Sequence, residues 1–335
     1  MLKSFRNNNI IVQIIVVLAV AGLMWARSFA HPLSTPAPGG GSLYYWLTGA
    51  LSPLVSTILA FVLMLSEGVL LTSILYRHKL IGQGTLMPVL FFVIAMSIGR
   101  PALTPVLLGT LFLLLAIEQL LLTSTLLSIG LDKTFGAAAC VGLAMLLCPT
   151  MAVFIIPVII SMFNYSLYSW RDWTMFILGL LAPWILVETY YWVCDEMFYR
   201  NYLLLYTLTD FHLRVGGTLI QWIVSIVFLL LLVLGILRIM GMSRNRNINF
   251  NKNVTTLLLF TIGSVALAGY TRLFPIAACN YTIPFACCTT YLFIDSGSVG
   301  SVSFGRHNKE IWLNILFIAV VLFFVIANWT TPLIS

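Results

Sequence analysis

Apolar positions in this chain fall in long unbroken blocks, not in the one-face stripe of a soluble amphipathic helix or the alternation of a strand. Several blocks reach the roughly 20 residues needed to cross a hydrocarbon core. In lipid a segment must satisfy its backbone groups internally, so blocks of this kind predict helices. The first runs over 9–26, after Lys3 and Arg6, and a second over about 51–76, closed by Arg77-His78-Lys79. Ser28-Phe29-Ala30 has the small-x-small form of a signal cleavage site, but the long core, Trp25 and Arg27 favour an uncleaved first span. Next come 86–98 and 102–122, parted by Gly99-Arg100-Pro101, and 135–147 and 150–163, parted by Cys148-Pro149. Proline removes a backbone donor and biases its predecessor away from helix, so each pair reads as a short hairpin. The competing reading is one kinked helix across Pro149. The remaining spans fall at about 173–193, 219–237, 254–268, 274–293 and 311–327.

The expected fold class is therefore an all-α integral membrane protein of about eleven transmembrane helices, forming a single transmembrane domain over 1–335. Its connections include an outer loop at 28–50 ending in an interfacial aromatic stretch (Leu43-Tyr44-Tyr45-Trp46-Leu47), a larger outer loop at 194–217, and a basic cytoplasmic loop at 240–252. Composition agrees: 61% of the 335 residues are hydrophobic and only 8% charged, against about a quarter charged in ordinary soluble domains.

Charge orients the chain. With the N-terminus inside, twelve of the 17 Lys and Arg fall on the cytoplasmic side, leaving Arg27, Arg100, Arg200, Arg214 and Arg272 outside. Ten spans would invert the basic 240–252 stretch, so the hairpin reading fits better. The layout implies a bacterial inner membrane, N-terminus cytoplasmic and C-terminus outside. The net charge of +7 sits in short loops, with no basic stripe interleaved with aromatics, so membrane lipids are the expected partner and nucleic acid is not. The six cysteines show no metal spacing, and there is no phosphate-cradling glycine loop, HExxH or GxSxG; no metal or other cofactor is indicated.

Ionisable groups inside spans are functional candidates by default, and three carboxylates qualify: Glu67, Glu118 and Glu188. Each also has a structural reading: Glu67 as a protonated or helix-paired acid, Glu118 as a group reaching the interface, and Glu188 as hydrogen-bonded to a neighbouring helix. On the outer face Arg100, Arg214 and Arg272 are candidates for a lipid phosphate, because the guanidinium fork matches phosphate oxygens. Asp195, Glu196 and Asp210 are candidate catalytic carboxylates there. Asp210, His212 and Arg214 alternate, but a solvated loop explains them more simply than a metal or acid–base site.

The order of elements resembles the C-type, polyprenyl-phosphate-sugar-dependent membrane glycosyltransferases, with Ala95-Met96-Ser97-Ile98-Gly99-Arg100-Pro101 and Gly142-Leu143-Ala144-Met145-Leu146-Leu147-Cys148-Pro149-Thr150 matching their two hairpin tips. Tyr76-Arg77-His78-Lys79, the stretch 111–119, and Tyr168-Ser169-Trp170-Arg171-Asp172-Trp173 followed by Gly179 and Pro183 are similar to an uncharacterised family of bacterial inner-membrane proteins. The first resemblance implies an enzyme binding a polyprenyl-phosphate sugar at the outer face. Those enzymes place a carboxylate in the first outer loop, whereas Arg27 to Ser66 contains no Asp or Glu here. Three functions stay open: glycosyl transfer, a catalytically silent subunit or scaffold with membrane-protein partners, and transport of a small molecule or lipid using Glu67.

Overall fold

The computed structural model describes residues 9–32, 40–49, 51–81, 85–98, 102–123, 131–194, 219–243, 247–271, 282–293 and 306–330. All regular structure among them is helical: α1 (Ile10–Ala30), α2 (Ser42–Gly49), α3 (Pro53–Arg77), α4 (Met87–Ser97), α5 (Pro105–Thr123), α6 (Leu131–Leu147), a 3-10 turn (Pro149–Phe154) leading into α7 (Ile155–Asn164), α8 (Trp170–Val193), α9 (Leu219–Ser243), α10 (Ile248–Thr271), α11 (Thr282–Phe293) and α12 (Arg306–Thr330). Among the described residues six helices are long and apolar enough to cross a membrane: α1, α3, α5, α8, and the apolar parts of α9 and α12. The described residues are those of an all-helical membrane protein.

Several elements differ in extent from their sequence reading. α1 continues through Ser28-Phe29-Ala30, so the small-residue triplet is helical and Ser28 is buried. Most of the basic 240–252 stretch is also helix, because α9 runs to Ser243 and α10 starts at Ile248. The break at Pro149 is present: Cys148 is extended (φ −139°, ψ 96°) and the proline opens a 3-10 turn.

At the centre stands one of the short hydrophobic arms. α4 has eleven residues and all are buried. A helix apolar around its whole circumference needs neighbours on every side, and α4 packs against α1, α3, α11 and α12. Phe91 is the hub, stacked on Phe293 with centroids 5.6 Å apart and edge-on to Phe285 and Phe317. A second layer is made by α6 packed on α5 and α8. There small residues allow close approach: a Cβ on Gly179 would sit 2.5 Å from the Phe135 carbonyl oxygen, and one on Gly142 would sit 2.7 Å from that of Leu180.

Hydrogen bonds gather the helix ends. At one end of the bundle the Leu86 N–H donates to Gln13 (2.7 Å), Arg77 pairs with Glu118, and the Tyr291 hydroxyl donates to the Leu80 carbonyl. At the other, Asn328 donates to the Met24 carbonyl (2.9 Å), and α2 lies against Leu103 and Leu147.

Two helix stops are shared by design. α3 ends with Lys79 at φ +53°, the Lys79 N–H on the Tyr76 carbonyl and the Leu80 N–H on Leu75. α7 ends the same way, with Ser166 at φ +62° and the Leu167 N–H on Met162. Both are Schellman motifs with a non-glycine residue in the left-handed position.

Candidate functional site

The residues expected to form an outer-face site (Asp195, Glu196 and Asp210 as catalytic candidates, Arg100, Arg214 and Arg272 for a lipid phosphate) lie outside the described residues. The described structure does contain the short helix α2 and its attachments. Helix α2 and its approach are fastened to Leu103 and Leu147 at once. Its approach places the Gly41 N–H 2.8 Å from the Leu147 carbonyl, just before Cys148-Pro149. The Tyr44 hydroxyl donates to the Leu103 carbonyl at 2.8 Å, just after Pro101. Gly41 must be glycine, since a Cβ there would stand 2.0 Å from the Leu146 carbonyl oxygen. Tyr44 is fully buried, whereas Trp46 is exposed. The aromatic stretch read from the sequence is thus a short helix with one tyrosine turned into the bundle.

Inside the bundle, Glu67 of α3 has no exposed surface. Thr110 of α5 lies 2.8 Å from its Oε2, and its Oε1 has no hydrogen-bond partner among the described residues. The same threonine oxygen lies 2.7 Å from the Leu107 carbonyl. Gly68, next in α3, lets Val89 and Phe92 of α4 close over the helix there.

Further along the same two helices, Glu118 forms an ion pair with Arg77, whose side chain is largely exposed. A groove of about 500 Å³ follows α3 towards this pair, walled by Leu65, Ser66, Val69, Leu70, Ser73 and Ile74. Glu67 is not among its lining residues. Next to Arg77, outside the span, His78 is buried, with both ring nitrogens lacking a hydrogen-bond partner among the described residues. Burial holds its imidazole below the ordinary value of 6.5; the Glu118 charge opposes this and Arg77 adds to it. Glu188 is half-buried on α8.

Other polar contacts carry no sequence signal. The Trp25 indole N–H reaches Ser97 Oγ at 3.0 Å and Met64 Sδ at 3.2 Å, joining α1, α4 and α3. At the end of α7, Tyr165 donates to Asn253 (3.1 Å) and accepts from Thr256 (2.9 Å), while Asn164 donates to the Lys252 carbonyl (2.9 Å). Single Ser, Thr, Asn and Tyr residues are ordinary in membrane helices, so only the neighbouring helix reveals their partners. Among the described residues no three His, Cys, Asp or Glu side chains group as a metal site.

Comparison with known proteins finds no matching family model, no matching curated protein and no matching solved structure.

Proposed function

We propose that this chain is an inner-membrane protein of glycosyltransferase-like architecture that binds a polyprenyl-phosphate-linked sugar at its outer face. The observation that carries the reading is the attachment of α2 to Leu103 and Leu147. One short helix is thereby bonded to Leu103, which follows the first segment matched to the glycosyltransferase hairpin tips, and to Leu147, within the second; Arg100 is three residues before Leu103 in sequence. An interfacial surface is where a lipid phosphate lies, and arginine is the side chain suited to hold it. The eleven-span layout, with N-terminus cytoplasmic and C-terminus outside, belongs to the same proposal. It is supported by the extended break at Cys148 and by the distribution of Lys and Arg.

The test is binding of a polyprenyl phosphate and of its glycosylated form to the purified protein, with Arg100→Ala and Arg272→Ala as variants. Saturable binding weakened by both substitutions is the expected result. A folded protein that binds neither lipid sinks the proposal.

A specific observation favours a second reading, a catalytically silent membrane subunit. No carboxylate occurs between Arg27 and Ser66, so α2 offers no base to an acceptor hydroxyl. Helix α8 also presents Ile185, Leu186 and Trp192 to its surroundings, a face fit for lipid or a partner helix. Co-purification of a stoichiometric membrane partner, without lipid-sugar binding, is the outcome this reading requires. Transport through Glu67 has less support, because the groove is lined by its neighbours and not by Glu67 itself.

A further inference from the structure

Thr110 has two short oxygen contacts and one hydroxyl hydrogen. Its Oγ lies 2.7 Å from the Leu107 carbonyl oxygen and 2.8 Å from Glu67 Oε2. Each distance is that of a full O–H···O bond. A carbonyl oxygen only accepts, so the hydrogen towards Leu107 comes from Thr110. The hydrogen in the other contact must then come from Glu67. A carboxylate has none to give; a carboxylic acid has one.

The surroundings agree. Glu67 is without exposed surface, and ionising a carboxyl in such a place is costly unless a cation or several donors face it. Helix α4 carries no titratable group along its length, and α1 carries only Arg27, which is half-buried and reaches towards the Trp329 carbonyl. On α3 the other ionisable residues are Tyr76 and Arg77, and on α5 there is only Glu118, which is paired with Arg77 about 12 Å beyond Thr110 along the axis. Beyond α3, His78 is also at that far end. The free Oε1 is then the carbonyl oxygen of a neutral acid, a far smaller burden when unpartnered than a carboxylate oxygen.

We propose that Glu67 is an intramembrane proton-binding site, held as a carboxylic acid that donates its hydrogen to Thr110. Thr110 serves both states with its oxygen in place: it accepts from the acid while bonded to Leu107, and by rotating its hydroxyl it donates to the carboxylate once the proton has left for water. Neither step needs a co-reactant beyond water. A buried carboxylic acid kept neutral by its site is an established device for donating a hydrogen bond.

Infrared difference spectroscopy of the whole purified protein near neutral pH tests this. Wild type minus Glu67→Gln should contain the carbonyl stretch of a protonated carboxylic acid, lost in the variant. Thr110→Val, close in shape, removes the acceptor and should shift that band to higher frequency. This assigns it to Glu67 even if the glutamine variant does not fold. A wild-type spectrum without the acid band, or a band unmoved in folded Thr110→Val, overturns the proposal.

Discussion

The Tyr44 hydroxyl donates to the Leu103 carbonyl across 2.8 Å, from the short helix α2 to the chain just beyond Pro101. The bond is buried, and with Gly41 on Leu147 it fixes α2 across two separate connections. Tyr44→Phe keeps the ring and removes the donor, leaving a buried carbonyl unpaired. The expected cost is about 1–3 kcal/mol. Thermal unfolding in detergent should show the loss. The variant should also weaken lipid-phosphate binding if α2 organises that site, and an unchanged melting temperature would mean that α2 docks without this bond.

At the α6–α8 contact, Gly179→Leu forces a side chain into the Phe135 carbonyl. Overpacking of this kind costs about 1–3 kcal/mol and more where backbone must move. Gly22→Leu on α1, where an added Cβ meets nothing within 4 Å, is the matched control. Only the first should lower the melting temperature. Equal behaviour would show that α6 and α8 do not rely on this close approach.

Lys79 holds the left-handed position that ends α3. A side chain there costs about 1–2 kcal/mol relative to glycine. Lys79→Gly should therefore raise stability by roughly 1 kcal/mol, against the usual trend for substitutions to glycine. A fall in melting temperature would indicate that the lysine charge contributes more than its backbone strain removes.

The buried imidazole of His78 makes stability depend on pH. Its folded value lies below 6.5, so under mild acid the unfolded chain binds the proton more readily than the folded one. Stability is full above about 6.5 and falls as pH drops through and below it. Melting temperatures from neutral to mildly acidic pH should decline more steeply in wild type than in His78→Gln. Parallel curves for the two proteins would place the acid sensitivity elsewhere.

Much of the architecture was legible in order along the chain. A membrane helix satisfies its backbone within itself, so apolar length alone announces α1, α3, α5 and α8, and proline's missing donor marks the break at Pro149. Glu67 was equally visible, because a charge-bearing residue in the middle of an apolar run stands out in any order of packing. Helix ends were less legible: α9 and α10 continue through much of the basic 240–252 stretch, since charged and amide residues extend a helix into the interface without an apolar signal.

What only the tertiary structure decided is who faces whom. Apart from its last residue, Ser97, α4 is apolar, so nothing in its sequence selects a buried face; its central position comes from having neighbours on all sides. Thr110 is one threonine among many until α5 lies beside α3, 43 residues away in sequence from Glu67. Tyr44 looks like any interfacial aromatic until Leu103 offers its carbonyl. The physical reason is common to all three. Hydrophobicity places segments in the membrane but does not distinguish one apolar neighbour from another, whereas close packing and single buried hydrogen bonds do, and these exist only once the helices meet.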